Sequence, residues 1–247
     1  MKDKVVGILG GMGPEATVDL FSNIVAETSV ESDNDHLRII IDNNPKMPSR
    51  QDAILNEGED PGPAMVETAR NLERAGADFI IIGANTAHYF YDYVKNAVDI
   101  PVLHIIDEAV LETNRKVENV KKVGVLAASG AMKTKMWQNS FNRSDIEVVE
   151  VPDEIQEMVQ NSIFSFRLVG LNNENEEMLL KAAKFLIDNG AEAIILGCTE
   201  TPLILGNKKL SVEVVNPNNI IATIAVKYAK NLCQVEEVGN RYLTVNS

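Results

Sequence analysis

Short runs of apolar residues recur along this chain, and they alternate with longer stretches whose apolar positions follow a helical spacing. The apolar runs are Val5–Leu9, Arg38–Asp42, Phe79–Gly83, Val102–Ile106, Val123–Leu126, Glu147–Val151, Ala193–Gly197 and Val212–Val215. Several carry no polar alternation, which predicts strands buried on both faces, as in a parallel sheet. Helical spacing covers Pro14–Ala26, Ala64–Arg74, Asp153–Leu168, Glu176–Asn189 and a run from Ile220 to Val235 that contains Cys233. Pro14 suits a first helical turn, and Gly76 and Gly190 suit helix ends. The expected class is α/β, with right-handed crossovers.

The pattern also repeats. Gly76-Ala77-Asp78-Phe79-Ile80-Ile81-Ile82-Gly83-Ala84 matches Gly190-Ala191-Glu192-Ala193-Ile194-Ile195-Leu196-Gly197-Cys198 at an offset of 114, and Val6-Gly7-Ile8-Leu9 matches Val123-Gly124-Val125-Leu126 at 117. Two similar halves follow, each a parallel sheet of about four strands flanked by helices. They are expected to be pseudo-twofold related with the active site between them. The first half is assigned residues 1–115, and the second 116–217.

Composition narrows the partners. With 45% apolar and 24% charged residues, the chain has the profile of a soluble globular protein. A net charge of −13 argues against nucleic acid or an anionic membrane, both of which call for basic faces. No apolar run reaches the length of a membrane span, and no leader is expected, because the short apolar run from Val5 to Met12 continues straight into a folded pattern. Two cysteines, Cys198 and Cys233, form no disulfide framework and fit a reducing, cytoplasmic setting. Three histidines at 36, 88 and 104 show no metal-ligand spacing.

Ligands of open parallel sheets bind beyond the carboxyl ends of the strands. The segments there are Gly10–Gly13, Asn43–Arg50, Gly83–His88, Ala127–Ala131 and Gly197–Thr201. By the repeat, Ala84 and Cys198 occupy matching positions. Cys198 precedes a plausible turn into a helix, where unpaired backbone N–H groups favour a thiolate; the plain alternative is a small buried core residue. Cys233 reads as core. His88 reads as a structural histidine of its loop. The glycine-rich start lacks the G-x-G-x-x-G of a dinucleotide site, and Asp42 lies 32 residues past Gly10 where about 20 are expected.

The segments GILGGMGPEAT (7–17), NTAHYF (85–90), HIID (104–107) and GCTE (197–200), in this order, resemble the aspartate/glutamate racemase superfamily, and most of all its aspartate racemase branch. The resemblance implies a cofactor-independent enzyme in which two opposed cysteines exchange the α-proton of a small acidic amino acid, and it implies a homodimer. Carried over by residue, Cys198 matches one catalytic cysteine, and the other falls on Ala84. Arg50 matches a carboxylate-binding arginine, whereas by itself it reads as an exposed turn residue. Arg167 stands where the family often has lysine, and solvation on a helix surface is its plain reading. Met12, Asn85, Thr86, Thr199 and Glu200 match positions lining the substrate, with Glu200 where glutamate racemases have histidine. Ser129 is the single hydroxyl in Ala128-Ser129-Gly130-Ala131, where the family carries Thr-x-Gly-Thr. The resemblance also suggests that residues 218–247 pack back onto the first half. Because Ala84 removes one base, weak or absent racemisation of L- and D-aspartate, or glutamate, is expected. Two alternatives stay open: a one-cysteine enzyme resembling arylmalonate decarboxylases, and a non-catalytic amino-acid-binding protein.

Overall fold

The computed structural model describes residues 2–206 and 208–245. Its strands are β1 (Val6–Gly10), β2 (Ile39–Asn43), β3 (Phe79–Ile82), β4 (Val102–Leu103), β5 (Lys122–Val125), β6 (Glu147–Val148), β7 (Ala193–Ile195), β8 (Glu213–Val215), β9 (Gln234–Val238) and β10 (Arg241–Val245). The helices are α1 (Pro14–Glu27), α2 (Arg50–Ile54), α3 (Gly62–Arg74), α4 (Tyr91–Lys95), α5 (Ile105–Lys116), α6 (Ser129–Lys133), α7 (Met136–Asn142), α8 (Asp153–Val169), α9 (Asn173–Asp188), α10 (Thr201–Leu205) and α11 (Pro217–Ala229). A 3-10 turn spans Thr86–Phe90. No helix among the described residues is long and apolar enough to cross a membrane.

Contacts divide the chain into Met1–Glu108 with Asn218–Ser247, and Ala109–Pro217. The change of unit falls inside α5. The first unit holds a sheet ordered β2-β1-β3-β4-β10-β9, and the second a sheet ordered β6-β5-β7-β8. The shared order β2-β1-β3-β4 and β6-β5-β7-β8 is the repeat in three dimensions. Register repeats too: Val6 pairs with Phe79 and Val123 with Ala193, each joined through a parallel ladder. The central strands β1, β3 and β7 are buried throughout, as their apolar runs predict.

The matched GAD and GAE triplets do the same work in each unit. Gly76 and Gly190 both sit at φ +94 after α3 and α9, a left-handed cap that a side chain resists. The next acidic residue then holds the start of the neighbouring strand. Asp78 Oδ2 accepts from Val5 N at 2.6 Å, and Glu192 Oε2 accepts from Lys121 N at 2.5 Å. The repeat in sequence is therefore a repeat of caps and anchors, as well as of strands.

Three expectations are corrected. The first sheet has six strands rather than about four, because the C-terminal segment forms the hairpin β9–β10, with β10 parallel to β4. Buried Glu108 secures that hairpin: its carboxylate accepts from Thr244 N at 2.5 Å and from Thr244 Oγ1 at 2.6 Å. The fourth strand stops at Leu103, since His104 turns the chain into α5, its Nδ1 accepting from Asp107 N at 3.3 Å as a helix cap does. And Cys233 lies in the half-buried bend after α11, outside any helix.

Candidate active site

In the first unit, the loop after β1 is pressed against the chain beyond β2. Gly11 has φ +93, and a Cβ there would stand 2.4 Å from the Asn44 backbone, so only glycine fits. Thr17 Oγ1 accepts from Gly11 N at 2.9 Å and donates to Gly13 O at 3.2 Å, bolting the loop to α1. Past Asn44 the chain turns into α2, capped by Ser49, whose hydroxyl accepts from Asp52 N. Arg50 opens this helix half-buried, with Nη1 donating to Pro48 O at 2.9 Å. Helix α2 packs against the 3-10 turn that carries Thr86. Met12, Met47, Ala84 and Ala87 share one buried cluster. The five expected site residues of this unit thus lie on adjoining elements.

Ala84 follows β3 and is 6% exposed. Its neighbour Asn85 is 3% exposed, and neither Oδ1 nor Nδ2 has a hydrogen-bond partner among the described residues. A buried amide left so costs about 1–3 kcal/mol. Thr86 is half-buried.

His88 fixes this loop. Its Nδ1 donates to Ala84 O at 3.0 Å, and its Nε2 accepts from Ile105 N at 3.3 Å, so the ring is neutral with the proton on Nδ1. Burial is the largest influence on its pKa and lowers it to about 4, against the Ala84 hydrogen bond and the charge of Asp107. His88 is the structural histidine the sequence suggested. The linkage has a definite sign. The unfolded chain takes up this proton near 6.5 and the folded chain near 4, so the unfolded state binds more protons between those values. Stability present above about 6.5 therefore falls as pH drops toward 4, by on the order of 3 kcal/mol, and flattens below it. Urea denaturation across that range is expected to show the slope in the parent chain and a shallower one in His88→Asn; equal slopes would refute the assignment.

In the second unit, Cys198 ends the segment after β7 and is 6% exposed, within that unit's buried cluster. Its backbone O accepts from Thr201 N and from Thr201 Oγ1, the latter at 2.8 Å, tightening the turn into α10. The thiol donates to Glu200 Oε2 at 2.8 Å, and Thr199 Oγ1 donates to the same oxygen at 3.0 Å. Glu200 Oε1 receives Arg167 Nε at 2.6 Å, and Arg167 Nη2 stands 4.0 Å from the sulfur. Arg167, Cys198, Thr199 and Glu200 therefore form one linked group, built by α8 and the strand-end loop.

The charges in this group run against the expected thiolate. Burial and then the adjacent Glu200 push the Cys198 thiol well up, outweighing Arg167, which lowers it. Burial would raise Glu200, but the hydrogen bond and charge of Arg167 outweigh it and hold the carboxyl low. The proton therefore rests on sulfur and the negative charge on Glu200. Helix α10 has only five residues; burial first, and then the carboxylate two positions on, set the thiol's state.

Ser129 stands elsewhere in this unit. Its N donates to Gln160 Oε1 at 2.9 Å and its Oγ accepts from Gln156 Nε2 at 3.3 Å, and Gln156 also holds Ala127 O at 3.0 Å. Ser129 lines a pocket of about 470 Å³ to which none of Arg167, Cys198, Thr199 and Glu200 contributes. The two glutamines were not singled out in the sequence. They lie at helical spacing before Arg167, on the stripe 156, 160, 167 of α8, and that spacing is the signal that reveals them.

A buried cysteine at the carboxyl end of a parallel strand, backed by a carboxylate and a guanidinium in one of two like-built α/β units, defines a strand-end thiol site. The sequence profile of the family described as Asp/Glu/Hydantoin racemase matches residues 9–225, and the chain belongs to that family. It is 25% identical over 226 residues to the broad specificity amino-acid racemase RacX of Bacillus subtilis (strain 168), covering 90% of this chain and 96% of RacX. Its fold is similar to that of the Picrophilus torridus aspartate racemase, with a TM-score of 0.77 and 28% identity over 92% of this chain and 94% of the other. It is also similar to an aspartate racemase homologue from Pyrococcus horikoshii OT3, with a TM-score of 0.76 and 29% identity over 92% and 99% of the two chains.

Proposed function

We propose that this chain is an amino-acid racemase scaffold for aspartate, with glutamate as the second candidate, in which Cys198 is the remaining proton carrier and Ala84 stands where its counterpart belongs. The observation that carries this reading is the paired strand-end position: Ala84 after β3 and Cys198 after β7 occupy the same place in two units of the same sheet order. A two-base racemase needs one proton carrier on each face of a planar, carbanion-like carbon, and the repeat supplies one position per unit. In this reading Met12, Arg50, Asn85, Thr86, Arg167 and Thr199 bind the ligand. Unpartnered Asn85 supports a polar ligand there. Arg50 and Arg167 answer two carboxylates, and such charge-assisted bonds are the strong ones. Independence from any cofactor and pairing into a homodimer belong to the same proposal and rest on the family, while a cytoplasmic location is proposed from the two cysteines, which suit a reducing setting.

The function is testable as binding, before any turnover. Calorimetric titration with both enantiomers of aspartate is expected to show one site per chain, weakened about tenfold or more by Arg50→Ala. No binding of any acidic amino acid would refute the reading. Ala84 itself favours one rival, a decarboxylase of substituted malonates, which requires a single proton donor. Release of carbon dioxide from such a malonate, without aspartate binding, would establish that rival.

A further inference from the structure

Glu200 is tied to the sulfur more tightly than a ligand-lining residue needs to be. Its Oε2 takes the Cys198 thiol at 2.8 Å and the Thr199 hydroxyl at 3.0 Å, while its Oε1 takes Arg167 at 2.6 Å. Both oxygens are committed inside the chain. A further ionised carboxylate turned toward an acidic ligand would also meet like charge. We propose that Glu200 is the proton-holding partner of Cys198, accepting the thiol proton when sulfur must act as a base and returning it when sulfur must act as an acid, with Arg167 steadying the carboxylate. This deepens the racemase reading and rests on it only for what Cys198 does to a substrate.

Exposure supports the direction of the route. Cys198 is 6% exposed, whereas the side chains of Glu200 and Arg167 are 13% and 49% exposed. The buried sulfur thus reaches water through the carboxylate. The step balances simply. The S–H bond breaks and an O–H bond forms on Oε2, leaving a thiolate beside a neutral carboxyl. When the thiolate takes the α-proton, the Cα–H bond breaks, its electron pair stays on carbon, and S–H forms again. The carboxyl proton exchanges with water between events. The charged groups acting on the sulfur are Glu200 and Arg167. Arg167 stays protonated throughout, held by Glu200 against the effect of burial.

The test requires no substrate. The pairs S–H with COO⁻ and S⁻ with COOH carry the same net charge, so the thiolate share of a proton-sharing dyad is independent of pH between its two macroscopic steps. Alkylation of Cys198 by iodoacetamide, followed at that residue by peptide mass spectrometry so that Cys233 is counted separately, is expected to show a flat stretch through neutral pH. Glu200→Gln is expected to lose it, its rate climbing about tenfold per pH unit as a lone thiol does. Glu200→Asp keeps a carboxylate and is expected to restore the plateau, which separates proton sharing from damage to the loop. A parent profile that climbs like that of Glu200→Gln would overturn the proposal. So would an unchanged plateau in Glu200→Gln together with weakened aspartate binding, the signature of a ligand contact. Because alkylation uses no amino acid, a chain that shows the plateau but binds no aspartate would sink the racemase reading alone.

Discussion

Ala84→Cys is expected to raise racemisation of aspartate by about 10²–10⁴-fold over the parent chain, the range a positioned acid or base contributes. The argument begins with what the loop lacks. Alanine offers no proton, and His88, the titratable group of that loop, is engaged at both ring nitrogens with its basicity lowered to about 4 by burial. Thr86 presents an unactivated hydroxyl, a poor base near neutrality. The loop is otherwise ready to receive a thiol: His88 holds the Ala84 carbonyl whatever the side chain, and cysteine adds one atom beyond Cβ. Chiral chromatography of aspartate incubated with each chain measures the gain. Equal rates from the alanine and cysteine forms would show that the second carrier lies somewhere other than position 84.

The second large effect is expected at Cys198. With one carrier left, the parent chain is expected to exchange the α-proton of one aspartate enantiomer with solvent while keeping its configuration. Cys198→Ala is expected to cut that exchange by at least about 10²-fold. Cys198→Ser is expected to fall nearly as far, since a hydroxyl gives up its proton far less readily than a thiol. Aspartate affinity is expected to change little in either variant, because the carboxylate contacts come from arginines. Retained exchange in Cys198→Ala would remove the sulfur from the chemistry.

Much of this scaffold was legible because its signals are local and repeated. Each of the eight apolar runs overlaps a strand, and the offsets of 114 and 117 already announce the repeat that the two sheets share. The C-terminal hairpin escaped because its strands QVEEV and RYLTV are polar on much of their length, although Gly239-Asn240 between them is a two-residue turn. The early end of β4 depends on His104 acting as a helix cap, a role its type does not announce. At the site, residue type and position singled out Cys198, whereas Arg167 and Glu200 entered only through the family resemblance. The thiol's protonation state was out of reach, because it follows from a 2.8 Å contact with Glu200 and from burial, and neither is written in the spacing of GCTE. Likewise, nothing in NTAHYF says that the Asn85 side chain lacks a partner among the described residues while His88 has two.

The most direct test of the central claim is to incubate the parent chain in heavy water with L-aspartate and, separately, with D-aspartate, following the α-proton by NMR and the handedness of the product by chiral chromatography. The single-carrier account predicts that deuterium enters one enantiomer with retention of configuration and that the opposite hand does not accumulate. Deuterated product of the opposite hand, formed by the parent chain as fast as by Ala84→Cys, would contradict it.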